Sequence, residues 1–230
     1  MTICLLPGLL CDQTIWAAQK KALSEFAEVI IPDFRYVNSI PAMARLALEA
    51  FRAERFLLAG HSMGARVGLE VFRMAPERVE KLALLDTGIH PSGEAEPAKR
   101  QALIDIARNE GMAAMCARWL PPMLHSAHTA LIPALTEMVL RSTPDTFANQ
   151  QKALLDRPDA RDVLPMIHCP TLVLCGREDQ WSPVRQHEEI AAAIPTSKLV
   201  IVEHCGHMSP FEQPGAVTAA LLEWSGHLQN

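Results

Sequence analysis

Leu57–Val71 reads LLAGHSMGARVGLEV. An apolar run, Phe56–Ala59, leads into a serine held between two glycines, Gly60-His61-Ser62-Met63-Gly64. From Ala65 a helical pattern takes over, carrying Val67, Leu69, Val71 and Phe72 and stopping near Pro76. A strand, a sharp turn and a helix in that order would project the Ser62 hydroxyl from the edge of a sheet. Glycine at 60 and 64 removes side chains that would collide where strand and helix approach. The Met63 amide, at the helix N-terminus, would face the space in front of Ser62 and could stabilise a developing oxyanion. The competing explanation is a serine that only N-caps the helix in a glycine-lined turn. The pentapeptide alone is a weak pattern, so the rest of the chain has to decide.

The flanking sequence repeats the same strand–helix rhythm. Ile3–Leu6, Glu28–Ile31, Phe56–Ala59, Leu82–Leu85, Thr171–Cys175 and Leu199–Val202 are short, nearly continuous apolar runs. Strands buried on both faces look like this, whereas half-exposed strands alternate. Helical spacing occupies Ile15–Leu23 (Asp12 or Thr14 as cap), Ser39–Glu54, Pro183–Ile194 and Pro214–His227. Alternation of this kind predicts an α/β fold, a mostly parallel sheet of about six strands with helices on both faces. One region breaks the rhythm. Residues 90–168 contain helical stretches (Lys99–Asn109, Met112–Trp119, Ala130–Arg141, Asp145–Asp156) punctuated by prolines, with no strand pattern. They are too apolar for a disordered linker. The expected organisation is a core of residues 1–89 and 169–230 with a helical cap insertion at 90–168.

Bulk properties exclude several classes. At 230 residues the chain suits one medium domain, able to bury about 70% of its unfolded surface without disulfides or metals. A net charge of −5 and the absence of Lys/Arg runs argue against a nucleic-acid partner. No apolar stretch reaches the roughly 18 residues of a membrane span. The first residues, MTICLLPGLLCD, have no basic n-region and read as a first strand. Six cysteines without a CxxC pair suggest reduced thiols in a cytoplasmic protein.

A serine hydroxyl is a poor nucleophile without a base. Among nine histidines, His207 stands out. It lies in VEHCGHMSPFEQP, after the last strand and before the last helix, where it would hang over the sheet's C-terminal edge. His204 is a close competitor. His61 adjoins Ser62 and would point away from its hydroxyl. The base in turn needs an acid to fix its tautomer. Asp179 and Glu178 follow the fifth strand, and Asp86 ends the fourth; all three precede His207. The order Ser62, Asp179, His207 matches a known serine–acid–histidine order, and Asp86 is a rival on the same ground. Cys205, His204 and His207 lack a metal-ligand spacing, so no metal is expected.

With these residues in view the chain resembles the α/β-hydrolase fold superfamily, in its single-domain serine esterase-like group with a helical cap. The resemblance spans nearly the whole length. GHSMGA resembles the family's nucleophile elbow. GREDQWSP resembles its acid loop, with Gly176, Asp179 and Pro183 in register. CGHMSPFEQP resembles its histidine loop, with Gly206, His207, Glu212 and Pro214 in register. In LLPGLLCDQTIW, Pro7 replaces the family's histidine and Gly8 is kept, so by register Leu9 supplies the second oxyanion N–H, with Leu10 as the alternative. The N-terminal hairpin of many members is not expected.

The resemblance implies a Ser62–His207–Asp179 triad, oxyanion amides at Leu9 and Met63, an acyl-enzyme and no cofactor. It implies hydrolysis of a carboxylic ester with a small, largely apolar acyl group. Leu10, Trp119, Met123, Trp181 and Met208 are candidate pocket residues. A C–C bond hydrolase or lactonase of aromatic catabolism, using the same triad, is the enzymatic alternative; a ligand receptor on the same fold is the non-enzymatic one. The partner would be a small molecule, and the chain a monomer or homodimer.

Overall fold

The computed structural model describes residues 1–227. Six strands, β1 (Thr2–Leu6), β2 (Glu28–Ile30), β3 (Phe56–His61), β4 (Val79–Leu85), β5 (Thr171–Gly176) and β6 (Ser197–Val202), form one sheet in the order β2-β1-β3-β4-β5-β6. Every pairing is parallel. All residues of β1, β3 and β5 are buried, as covering on both faces requires, while the edge strands β2 and β6 are largely half-exposed. The six apolar runs in the sequence thus mark the six strands; five are extended by up to three residues, and β2 stops one residue short, at Ile30.

The core helices are α1 (Ala17–Leu23), α2 (Ile40–Ala50), α3 (Met63–Met74), α8 (Val184–Ala193), α9 (Ser209–Glu212) and α10 (Pro214–Ser225). α1 packs on α10, and α2 packs on α3, which lies against β1, β3 and β4. Asp12 and Ser39 cap their helical segments through side-chain oxygens that accept from the Thr14 and Ala42 amides. The expected helix Ser39–Glu54 ends four residues early. Phe51 turns to an extended conformation and is buried edge-on against Phe56, with ring centroids 5.0 Å apart. Between β4 and β5 the described residues form helices and turns but no strand: α4 (Glu96–Asn109), α5 (Met112–Trp119), α6 (Ile132–Val139) and α7 (Pro144–Leu155).

The strand order fixes where a site can form. From β1 the chain goes to one neighbour, β2, and then returns to the other, β3. The loops leaving β1 and β3 therefore diverge at adjacent C-terminal strand ends. In open parallel sheets this switch point is the crevice where ligands bind. Leu9 follows β1 and Ser62 follows β3, so both stand at its rim.

Candidate active site

Ser62 has φ 53° and ψ −115°, a conformation costly for a residue with a side chain. Backbone bonds hold it there. Its N–H donates to Leu85 O on β4 (2.8 Å), and its carbonyl accepts from Ala65 N–H, Arg66 N–H and Thr87 Oγ1. The glycines are sterically obligatory. A Cβ at Gly60 would lie 2.5 Å from Ala65 N, and one at Gly64 would lie 2.2 Å from Leu6 O. The Ser62 side chain makes no helix-capping bond, so the capping explanation fails. Its Oγ lies 2.8 Å from His207 Nε2 instead.

His207 Nδ1 lies 2.7 Å from Asp179 Oδ2, while Asp179 Oδ1 accepts from the Trp181 and Ser182 amides at 2.8 and 2.9 Å. With Nδ1–H donating to the carboxylate, Nε2 is left to accept from the Ser62 hydroxyl. The histidine loop is pinned on both sides. His207 N–H donates to Met123 O (2.7 Å), and His207 O accepts from His61 Nε2 (2.8 Å). Burial, reinforced by the neighbouring His207, pulls His61 down to about 3, so it stays neutral. Buried Glu212 braces the loop by accepting from the Gly206 and Met208 amides through Oε1 and from His125 N–H through Oε2.

Burial opposes charge on both His207 and Asp179, but their mutual attraction prevails. His207 is raised above the ordinary histidine value by the Asp179 charge and hydrogen bond, with help from Asp86 and Glu212. Asp179 is lowered by His207 and by the Ser182 and Trp181 amides. The rival acids lie elsewhere. Asp86 accepts from Gly176 N–H and from the Ser209 amide and hydroxyl; burial and the Asp179 charge push its pKa well up. Glu178 accepts from Cys205 N–H (2.9 Å). His204 is exposed and stacks edge-on with His125.

The two candidate oxyanion amides after β1 differ sharply. Leu10 N–H donates to the buried Gln150 Oε1 at 2.8 Å, and Gln150 Nε2 reaches Phe34 O. Leu10 is thereby committed to structure. It is buried at φ 57° and lines neither cavity at Ser62, so its expected place in the substrate pocket is corrected. Among the described residues, neither the Leu9 nor the Met63 amide has a protein acceptor.

Two cavities meet at Ser62. The smaller, about 50 Å³, is lined by Leu9, Cys11, Trp119, Met123 and Met208. The Trp119 indole N–H is buried without an acceptor among the described residues. Trp181 lines both cavities, with its ring 6.4 Å from that of His207. Arg100 reaches both cavities, and apolar side chains predominate only in the lining of the smaller one. The larger one, about 530 Å³, is walled by Arg66, Lys99, Arg100 and Arg157 together with Glu96. The sequence does not group these residues, because Arg66, the Glu96–Arg100 turn and Arg157 are far apart in the chain and only folding brings them to one wall. Only Arg66 carried a signal: it lies four residues after Ser62, which on a helix means the same face.

All six cysteines are free. Among the described residues, the one cluster with metal-ligating atoms close together is His125, Glu178 and His204, within 4.8 Å of one another. Glu178 and His125 Nδ1 already accept from the Cys205 and Ala127 amides.

Three likenesses bear on this arrangement. The chain is 30% identical to a thermophilic esterase from Thermogutta terrifontis, solved with malate bound; the match covers 98% of this chain and 89% of that one at a TM-score of 0.86. It is 25% identical to the enol-lactonase from Burkholderia xenovorans, covering 98% and 91% at a TM-score of 0.84. It is 28% identical to a protein of Serratia proteamaculans provisionally named carbamate hydrolase RutD, covering 100% of this chain and 92% of that one. These relatives are named as hydrolases, and this chain is an enzyme of the same kind. Residues 5–221 match the model of the alpha/beta hydrolase family, to which the chain belongs.

Proposed function

We propose that the protein is a serine hydrolase that cleaves a carboxylic ester through an acyl-enzyme on Ser62. The observation that carries this is the line Ser62 Oγ–His207 Nε2 (2.8 Å) and His207 Nδ1–Asp179 Oδ2 (2.7 Å). His207 takes the hydroxyl proton as Ser62 attacks the acyl carbon. The Leu9 and Met63 amides hold the tetrahedral oxyanion. His207 then gives the proton to the leaving alkoxide, and water releases the acid by the same route. Asp179 keeps the imidazole in the accepting tautomer and stabilises the imidazolium. In this proposal residues 90–168 are the cap and residues 1–89 and 169–230 the core. Arg100, Leu154 and Arg157 from the cap face Ser62 and Trp181 from the core across the larger cavity. With every cysteine free and none exposed, we place the enzyme in the cytoplasm.

The likeness to an enol-lactonase supports a cyclic ester as a second reading, in which the leaving alkoxide stays tethered to the acyl group. The test for both is incubation with a fluorophosphonate followed by intact-mass measurement. One adduct is expected, absent from Ser62→Ala. No adduct on folded protein, or an adduct that survives Ser62→Ala, overturns the serine mechanism and favours a ligand receptor. Turnover of p-nitrophenyl esters supports the ester assignment, and turnover of a ring-fission product alone favours C–C bond hydrolysis.

A further inference from the structure

The larger cavity joins Ser62 to a cationic wall in a chain whose net charge is −5. Four cations, Arg66, Lys99, Arg100 and Arg157, face one carboxylate, Glu96. Glu96 is already shared: Arg157 Nη1 reaches its Oε1 at 2.6 Å and Nη2 its Oε2 at 2.7 Å, while Arg100 Nε lies 2.8 Å from Oε1. Burial works against its charge, but the two guanidiniums hold it at about 2, so it is ionised throughout the neutral range. Arg66 takes no part in this network. Among the described residues no carboxylate lies within 4.0 Å of Arg66 or Lys99. Among the described residues, the one protein acceptor of the Arg66 side chain is His90 O, at 3.1 Å. Burial, with Arg157 adding repulsion, pulls Arg66 down to about 9, and it is still a cation at neutral pH.

An unpaired guanidinium held half-buried in a cavity wall is costly unless an anion meets it. Arg66 lies in the first turn of α3, just beyond Ser62 at its N-cap, and both side chains line the larger cavity. We infer that the substrate is anionic: an ester or lactone carrying a carboxylate a few bonds from the scissile carbonyl, received by Arg66 with Lys99 and Arg100 beside it. Guanidinium matches carboxylate geometry with two parallel hydrogen bonds, which fixes the substrate's orientation along the wall as well as its affinity. The small apolar cavity then takes the uncharged end. This inference rests on the serine hydrolase reading above.

The test compares pairs that differ by methylation of one carboxylate, by pH-stat: monomethyl against dimethyl glutarate, and 4-acetoxybutyrate against its methyl ester. In at least one pair the anionic member should have the higher kcat/KM, by about tenfold to a hundredfold. The gain should lie mainly in KM and shrink in about 0.5 M NaCl. Arg66→Met should collapse the preference to within about twofold, and Arg66→Lys should keep part of it. Calorimetry with free glutarate reads the same wall without turnover, and Arg66→Met should weaken that binding by about tenfold or more. If Arg66→Met does not fold, Arg100→Met should show the same loss of preference. Preference for the neutral member in both pairs, or a preference unchanged in Arg66→Met, overturns the inference and leaves the serine mechanism standing. Glutarate binding without any fluorophosphonate adduct overturns the serine mechanism and leaves the anion site standing.

Discussion

Replacing Asp179 by Asn is the sharpest probe of the site, because the structure fixes how the new amide must sit. Asp179 Oδ1 accepts two backbone N–H groups, from Trp181 at 2.8 Å and Ser182 at 2.9 Å. The Asn oxygen has to stay there, since an NH₂ group cannot accept from those donors. The amide nitrogen is thereby aimed at His207 Nδ1, where Oδ2 now lies at 2.7 Å. A donor facing Nδ1 forces the ring proton onto Nε2, which then points at Ser62 Oγ and cannot accept its proton. The loop keeps its two bonds, so folding is preserved while the tautomer is wrong. In the chymotrypsin-type triad the same change costs about 10⁴ in kcat, roughly 5.4 kcal/mol at 1.36 kcal/mol per tenfold. The assay is kcat on a p-nitrophenyl ester, with thermal melting to confirm the fold. Asp86→Asn is the companion variant. Its carboxylate binds Ser209 and Gly176 rather than the imidazole, and its kcat should fall by less than about tenfold, below the loss of one oxyanion donor. A drop of less than tenfold for Asp179→Asn, or equal losses in the two variants, would refute the assignment of the acid.

Two further outcomes follow from the same geometry. His207 must be neutral to act as base, and its pKa is raised above the ordinary 6.5 against the opposing effect of burial. The acid limb of kcat/KM should therefore fall with decreasing pH through a value above 6.5, and Asp179→Asn should move that limb to lower pH; an unmoved limb would detach the Asp179 charge from the base. The pair also couples pH to stability. The His207 contribution is full below its unfolded pKa and is lost as pH rises through the raised value. The Asp179 contribution is full above its unfolded pKa and is lost as pH falls through the lowered one. At the elbow, Gly64→Ala puts a methyl group 2.2 Å from the Leu6 carbonyl. Neither the strand nor the helix can yield cheaply, so a loss of about 2–3 kcal/mol is expected, read as a Tm lower by about 5–10 °C; an unchanged Tm would show that the elbow can relax.

What the chain discloses in one dimension depends on how far apart the cooperating residues are. Strand identity is local: runs such as Leu57–Ala59 or Leu172–Cys175 are apolar throughout because both faces are covered, and that pattern needs no partner to be recognised. The helix end at Phe51 is not marked by the helical pattern, because it comes with a turn to extended backbone that buries Phe51 against Phe56. The triad lies between these cases. Ser62, Asp179 and His207 are far apart in number, but each stands just after a strand, and a parallel sheet brings all such positions to one edge. That rule alone admits both Asp86 and Asp179, which follow the adjacent strands β4 and β5, and only the resemblance of GREDQWSP to an acid loop favoured Asp179. Two backbone amides and one imidazole separate them, and none of these is visible in composition.

The cavity wall lies beyond such rules altogether. Arg66 comes from α3, Glu96 and Arg100 from α4, and Arg157 from just after α7. Nothing in the sequence says that Glu96 will pair with Arg100 and Arg157 and leave Arg66 without a carboxylate. A mildly acidic chain with scattered arginines therefore reads as ordinary, although folding gathers four cations around one cavity beside Ser62. Local pattern pointed to the residues proposed to break a bond. The charge that would select which bond is presented arises only from tertiary pairing, so specificity in this chain was the less legible half of its function.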